Sequence, residues 1–284
     1  MLKTALVLEG GASRAYFSNG VMDCLMDNDI YANYVIGTSA GIANGLSYVS
    51  RQRGRSLKLG KKYMNDKRYM GLKYMFKPGN RSYYNIKFVF EDLPNIYLPY
   101  DYEVFENFSG NVIAAVTNIK TGKAEYLEVP RNDRTWRAVV ASCALPIMFQ
   151  PVEIDGNLYM DGGMTDSIPF QKAIDDGCDR IIVVLTRERG YVKKDEPMQK
   201  LIDITYRRYP NLVKAIDNRA QMYNGERRRI FELERQGKLF VIEPETTGNF
   251  SRVESSPDAL CALYDQGYKV ADGRMNALKA YLEG

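Results

Sequence analysis

The 284-residue sequence predicts an α/β fold: a mostly parallel central sheet with helices on both faces, three layers α/β/α, and a helical C-terminal extension. Three observations carry this. Short apolar runs alternate with helix-spaced segments through the first 50 residues, the order of a parallel sheet with covering helices. Several of those runs end on glycine, as strands do where they feed a loop. Hydrophobic residues make up 45 % of the chain, enough for a sizeable core and too many for disorder.

The elements follow in order. Residues 3–11, "KTALVLEGG", read as a buried strand and its glycine turn. Residues 15–27 carry apolar side chains at helical spacing. "NYVIG" is a second strand, and 39–50, "SAGIANGLSYVS", a helix of small residues. Residues 51–81 differ in composition. The runs 111–119 and 123–129 flank "KTG" and predict a hairpin. An amphipathic helix over 133–145 stops before Pro146. Two short strands within 152–163 meet across an Asp-Gly turn, and the second ends at Asp161-Gly162-Gly163. A helix over 167–177 has a serine start, an early proline and a glycine stop, and a buried strand over 180–186 follows. From about 196 the pattern is helical and charged: one long helix over 211–236, a last strand over 238–244 and a closing helix over 256–282. No linker, low-complexity tract or repeat is found. We therefore expect one α/β domain over 1–195, with 51–81 as an insertion, and a mainly helical extension over 196–284 packed on it.

The net charge of +4 is mildly basic and does not point to nucleic acid, which is not expected as a partner. Cys24, Cys143, Cys178 and Cys261 are far apart, with no C-x-x-C pair, and read as reduced thiols of a reducing compartment. The chain has no histidine. That excludes a His-ligated metal and leaves no zinc-ligand spacing, so neither a metal nor a cofactor is expected. The apolar run after Lys3 spans five residues, too few for a signal-peptide core. No run approaches the roughly 20 residues of a membrane span. The chain is expected in the cytoplasm, with membrane contact made only from the surface, at the inner face. The sequence gives no signal for oligomeric state.

"YVIGTSAGI" (34–42) holds Gly37-Thr38-Ser39-Ala40-Gly41 between a strand and a helix. A serine there sits at a sharp, strained turn with its hydroxyl accessible and small neighbours around it. The helix N-terminus behind it favours developing negative charge. The plain alternative is a serine helix cap. A Ser-His-Asp triad is ruled out, since it needs an imidazole. Lysine, carboxylate or the N-terminal amine remain as bases. Asp161 is the better candidate, because it ends a strand and Gly162 and Gly163 let the backbone approach closely; a simple Asp-Gly turn is the alternative. A carboxylate is a weak base and needs a strongly stabilised oxyanion. "EGGASRA" (9–15) follows the first strand and can aim the N–H groups of Gly10 and Gly11 inward. The layout suits a phosphate equally, but it does not match G-x-G-x-x-G. Arg14 either adds charge at the site, including for a phosphate head group, or forms a surface salt bridge.

These three pieces together resemble the patatin-like phospholipase family: "GGASRA" (10–15), "GTSAG" (37–41) and "DGG" (161–163), in the family's order and rough spacing. The likeness covers roughly residues 3–190. It implies Ser39 as nucleophile and Asp161 as base in a Ser-Asp dyad without histidine. It also implies an oxyanion hole at Gly10, Gly11 and Ala12, assisted by Arg14. The family's loop usually reads G-G-G-x-R-G; here Ala12 and Ala15 replace two glycines, and alanine resists positive φ. The implied activity is hydrolysis of a lipid ester or phospholipid through an acyl-enzyme. A binding relative without turnover, and a thioesterase or acyltransferase on the same dyad, stay open.

Residues 51–81 hold eleven Lys/Arg against the single acidic residue Asp66, interleaved with Met64, Met70, Met75, Tyr63, Tyr69, Tyr74 and Phe76. Two readings remain: a solvated basic helix pair covering the core, or a cap over the site that meets an anionic membrane surface.

Overall fold

The computed structural model describes residues 2–195, 199–248, 250–251 and 254–284. At its centre lies an eight-stranded mixed sheet in the order β5-β6-β3-β2-β1-β7-β8, with β4 paired to β3 off this path. The strands are β1 Thr4–Leu8, β2 Tyr34–Thr38, β3 Asn111–Asn118, β4 Lys123–Glu128, β5 Val152–Ile154, β6 Asn157–Asp161, β7 Arg180–Val184 and β8 Phe240–Ile242. The run β3-β2-β1-β7-β8 is parallel, while the pairings of β4, β5 and β6 are antiparallel.

Side chains of the central strands alternate between two cores, as the pleat requires. Leu6, Leu8 and Val35 join one core with α1 (Tyr16–Asp27), α2 (Ala40–Val49) and the helix Pro257–Gly273. Ala5, Val7, Tyr34 and Ile36 join the other, with the helices Phe170–Asp175 and Arg219–Arg235. Helices thus cover both faces of a mostly parallel sheet. β2 is buried along its whole length, as a strand covered on both sides must be. The Asp155-Gly156 turn between β5 and β6 places both residues at positive φ (50° and 76°), the backbone of a tight hairpin.

Three expected helices differ. The helix expected over 211–236 is two, Pro210–Asp217 and Arg219–Arg235, meeting at Asn218. Bonds from Asn218 N to Lys214 O and from Met222 N to Asn218 O continue across the junction. The break falls at a residue that is neither glycine nor proline, so composition does not announce it. The closing helix divides at Arg274 into Pro257–Gly273 and Met275–Glu283. The helix expected over 133–145 narrows to Arg137–Ser142. In residues 51–81 every lysine and arginine except Arg55 is exposed, while Tyr63, Met64 and Tyr69 join the core. The segment forms α3 (Arg55–Tyr63), a four-residue helix Leu72–Met75 and turns, and Arg55 turns inward to donate to Leu98 O.

α1 crosses the helix Pro257–Gly273 backbone to backbone. A Cβ on Gly20 would stand 2.0 Å from Tyr264 O, and one on Gly267 2.0 Å from Phe17 O. Gly20→Ala is expected to cost about 3 kcal/mol or more by forcing the helices apart, a fall in Tm of roughly 6–12 °C. Gly273→Ala, whose Cβ meets nothing within 4 Å, serves as the control. Equal melting of the two variants in a thermal scan would contradict this packing.

Candidate active site

Leu8 of β1 lies beside Gly37 of β2. The turns that leave these strands therefore sit side by side at the carboxyl ends of the parallel strands, where α/β sheets build their sites. Ser39 occupies the second turn at φ 55°, ψ −129°, a backbone that costs a non-glycine residue on the order of 1–3 kcal/mol. Its surroundings hold it there. Ser39 N–H donates to Ser142 Oγ at 2.8 Å, and the Ser142 hydroxyl donates to Ala115 O of β3 at 2.7 Å. The Thr38 hydroxyl donates to Asp166 O at 3.0 Å. Space demands the flanking glycines: a Cβ on Gly41 would lie 2.5 Å from Leu8 O, and one on Gly37 2.8 Å from Ile42 N.

Asp161 comes from the other side of β3. Thr38 pairs with Ala115, and the next residue of β3, Val116, pairs with Asp161. Ser39 and Asp161 thus flank β3 at one level of the sheet, two strand spacings or about 10 Å apart in backbone. Asp161 is 2 % exposed. Its Oδ1 accepts the Gly163 N–H at 2.7 Å, its N–H donates to Ala144 O, and its carbonyl accepts the Thr117 hydroxyl at 2.8 Å. Gly162 packs where a Cβ would be 2.3 Å from Ala115 O. The Asp-Gly-Gly sequence therefore lets a strand end against β3 while its last carboxylate folds back on its own backbone.

Gly10 presses against this turn: a Cβ on it would lie 3.4 Å from Ser39 Cβ. Its N–H donates to Ser167 O at 3.2 Å and so leaves the set of oxyanion donors, while Arg14 N–H is held by Gly11 O at 3.1 Å. The N–H groups of Gly11 and Ala12 have no hydrogen-bond partner among the described residues. Ala12 adopts φ 49°. One alanine-for-glycine replacement thus falls on a left-handed residue, whereas Ala15, at φ −64°, is ordinary helix. Arg14 is 7 % exposed and lies inside the site rather than on the surface.

Two cavities meet at this point. One, of about 170 Å³, is apolar and lies under residues 55–94, with Leu59, Tyr69, Phe90, Leu93 and Trp136 in its wall. The other, of about 40 Å³, is polar and includes Gly10, Gly11, Arg14, Asp161 and Arg219. Ser39, Ala12 and Leu145 line both. The Cys143 thiol also reaches Ser39. Burial first, and then the Asp161 charge, hold it well above the ordinary thiol range against the opposing Ser39 hydrogen bond, so it stays protonated and unreactive.

A buried carboxyl pair supports the floor. Asp166, whose carbonyl holds Thr38, accepts the Tyr126 hydroxyl at 2.7 Å and faces Glu226 from the helix Arg219–Arg235. Burial raises both carboxyls, and in Glu226 the Asp166 charge raises it further. A carboxyl raised in the folded state stabilises the fold most at low pH, and that contribution is lost as pH climbs above the ordinary carboxylate range near 4. Glu226→Gln is expected to flatten the fall in Tm between pH 5 and 9 and to melt several degrees above the parent at pH 9. An unchanged slope would show that the pair does not titrate in this way.

Residues 6–174 match the family model described as patatin-like phospholipase, more than half of the chain. The chain belongs to the patatin-like phospholipase family. Residues 209–283 match a second model, a domain of unknown function designated DUF6363. Among curated proteins, the patatin-like chain is 26 % identical over 193 residues to the uncharacterized protein YjjU of Escherichia coli, covering 65 % of this chain and 52 % of that protein. It is 27 % identical over 205 residues to lysophospholipase NTE1 of Meyerozyma guilliermondii (68 % of this chain, 13 % of that protein). It is 28 % identical over 188 residues to lysophospholipase nte1 of Aspergillus terreus (63 % and 12 %). The chain thus spans about half the length of the first relative and about an eighth of the other two. Among solved structures, VipD of Legionella pneumophila superposes with a TM-score of 0.46 at 14 % identity, over 97 % of this chain and 67 % of that one, too loosely to bear on the chemistry.

The patatin-like model's span contains Ser39, Asp161 and the 10–14 loop. Sequence reading missed Ser142, which fixes the Ser39 turn, and Arg187, Lys193, Arg219 and Tyr223, which line the polar cavity from beyond that span. Ser142 and Tyr223 reach the site only through tertiary contacts, and no local pattern marks them.

Proposed function

We propose that the chain is a lipid acyl-ester hydrolase, with Ser39 as nucleophile and Asp161 as base. The observation that carries this reading is the position of Ser39: a strained turn at the boundary between an apolar cavity and a polar one that holds Asp161 and the glycine loop. The acyl chain lies in the apolar cavity. Asp161 takes the Ser39 hydroxyl proton as Ser39 Oγ bonds to the ester carbonyl carbon, and the N–H groups of Gly11 and Ala12, with Arg14, stabilise the oxyanion. The carbonyl-to-alcohol C–O bond breaks, and the leaving alkoxide takes that proton from Asp161. Water then gives a proton to Asp161 and its oxygen to the acyl carbon. The fatty acid departs as Ser39 recovers its proton.

The substrate is a lipid ester or phospholipid met at a membrane surface. Leu72, Phe76 and Ile96 are 68, 83 and 65 % exposed, and the lysines at 61, 62, 67, 73 and 77, in the same stretch of sequence as the first two, are exposed. Apolar tips among cations suit an anionic bilayer. No helix among the described residues is long and apolar enough to cross a membrane. A binding-only role draws on one observation, the left-handed Ala12.

The test is a panel of phospholipid, lysophospholipid and simple esters of increasing chain length, run with and without anionic vesicles. Burial is worth about 0.8 kcal/mol per methylene, so kcat/KM is expected to rise roughly fourfold per methylene until the cavity is full. Lys73→Glu with Lys77→Glu is expected to weaken sedimentation with anionic vesicles. A flat dependence on chain length, or no turnover of any ester, would count against the hydrolase reading, and unchanged sedimentation against the membrane surface.

A further inference from the structure

The apolar cavity has a cation in its wall. Arg55, the first residue of α3, lines it together with Ser39, and no carboxylate lines it among the described residues. Arg55 Nη2 donates to Leu98 O at 2.8 Å, and the guanidinium lies 5.3 Å from the centre of the Tyr100 ring. Its Nε is buried with no hydrogen-bond partner among the described residues. The α1 carboxylates that reach this segment are taken: Asp23 accepts the Gly54 N–H at 2.9 Å and the Tyr264 hydroxyl at 2.6 Å, and Asp27 pairs with Arg53. Burial pulls the Arg55 pKa below its ordinary value, against the Tyr100 and Tyr102 phenols, yet a guanidinium stays charged. A cation kept among apolar groups without a counter-ion is costly.

The position of Arg55 matters as much as its charge. The cavity runs along α2: Ala40, Ala43 and Leu46 line it from that helix, and Ser39 stands at the helix N-terminal end. Arg55 stands at the other end. Ser56, the next residue, donates its hydroxyl to Ser47 Oγ at 3.0 Å, and Gln52 N–H donates to Ser47 O. The Tyr100 hydroxyl, on the ring beside the guanidinium, donates to Leu46 O at 2.8 Å. The rise of α2 from Ser39 to Leu46 is about 10 Å at 1.5 Å per residue. An extended chain advances roughly 1.2 Å per bond, since polypeptide covers about 3.5 Å in three bonds. About eight bonds of acyl chain therefore join the two ends of the cavity.

Resting on the hydrolase reading above, we infer that Arg55 binds the far end of the acyl chain, and that the substrate is a medium-chain acyl ester whose chain ends in a carboxylate, the half-ester of a dicarboxylic acid. The guanidinium fork matches a carboxylate by paired, charge-assisted hydrogen bonds. A methyl end would strip water from the guanidinium and give it nothing in return. The chemistry at Ser39 is unchanged: water cleaves the bond between the acyl carbonyl and the alcohol oxygen, releasing the alcohol and a dicarboxylic acid. Arg55 sets which chains are accepted, while Ser39 and Asp161 carry the acyl transfer.

The experiment compares the p-nitrophenyl half-ester of nonanedioic acid with p-nitrophenyl nonanoate, which differ only at the far carbon. A purely apolar cavity would reject the carboxylate, which pays for its lost water. With Arg55 the carboxylate-ended ester is expected to have kcat/KM at least tenfold higher, with the preference greatest at about nine carbons in a series from about six to twelve. Arg55→Gln is expected to bring the ratio below one, and Arg55→Lys, which keeps the charge without the fork, to leave it between. Arg53→Gln, at an exposed residue paired with Asp27, is expected to leave it unchanged. A parent ratio of one or below, which needs no variant to fold, or a ratio untouched by Arg55→Gln would overturn the inference. Inhibition by nonanoate that Arg55→Gln abolishes, in a parent that prefers the methyl-ended ester, would make this a site for released fatty acid and would also overturn it. Calorimetry on Ser39→Ala protein provides a readout without turnover: monomethyl nonanedioate is expected to bind at least tenfold more tightly than methyl nonanoate, and equal binding would contradict the assignment. That preference in binding, with no ester cleaved by the parent, would instead remove the hydrolase reading and leave the Arg55 site standing.

Discussion

Ser39→Ala is expected to lower ester hydrolysis by a factor on the order of 10⁴ or more, the scale seen when a serine nucleophile is removed, while the protein stays folded. The change deletes one oxygen and leaves the backbone bonds of the turn in place. Ser39 N–H still meets Ser142 Oγ, and Ala43 N–H still meets the residue 39 carbonyl. The strained φ of 55° remains, because alanine tolerates it no better than serine. Thermal melting should therefore move little while activity disappears, and reaction with a fluorophosphonate should vanish with it. Activity within tenfold of the parent would mean that the turn is only a helix cap.

Asp161→Asn is expected to cost a factor of about 10³–10⁴ in kcat, within the range for loss of a positioned general base or triad carboxylate. Asparagine has the shape of aspartate, and its carbonyl oxygen can still accept the Gly163 N–H that now reaches Oδ1. The geometry should survive and the proton acceptor should not. The rate is expected to fall in both acylation and deacylation, since the proposed mechanism uses the same carboxylate to activate Ser39 and then water. Thermal melting should separate this from a folding defect: the variant is expected to melt close to the parent while its rate falls. Retention of full activity would send the search for the base elsewhere.

Much of the fold was legible because its signals are local. Short buried runs ending in glycine marked β1 and β2, and the Asp155-Gly156 dipeptide marked the β5–β6 hairpin. The missing histidine redirected the search for a base to carboxylates, and the register of β2, β3 and β6 places Asp161 level with Ser39. What escaped was built from distant contacts. The position of Gly10 after β1 predicts an oxyanion donor, but its N–H is drawn to Ser167 O by a segment more than 150 residues away. The helix break at Asn218 carries no glycine or proline, yet the helix that starts after it brings Arg219 and Tyr223 to the cavity. A polar wall assembled from residues 14, 187, 193 and 219 has no sequence spacing to recognise.

The alanine-for-glycine change at position 12 gains a physical meaning from the structure. Ala12 holds φ 49° and lines both cavities beside Ser39, so the loop stores strain where the oxyanion would form. Left-handed backbone costs alanine on the order of 1 kcal/mol, small beside the barrier reduction that catalysis requires. The replacement is therefore compatible with turnover.

The most direct measurement is to acid-quench the protein during turnover of a long-chain activated ester, digest it and map the acyl group by mass spectrometry. The account predicts the acyl mass on the peptide that contains Ser39, absent in Ser39→Ala and slow to appear in Asp161→Asn. An acyl group on the neighbouring Cys143, or no acyl-protein at all while the ester is being cleaved, would contradict it.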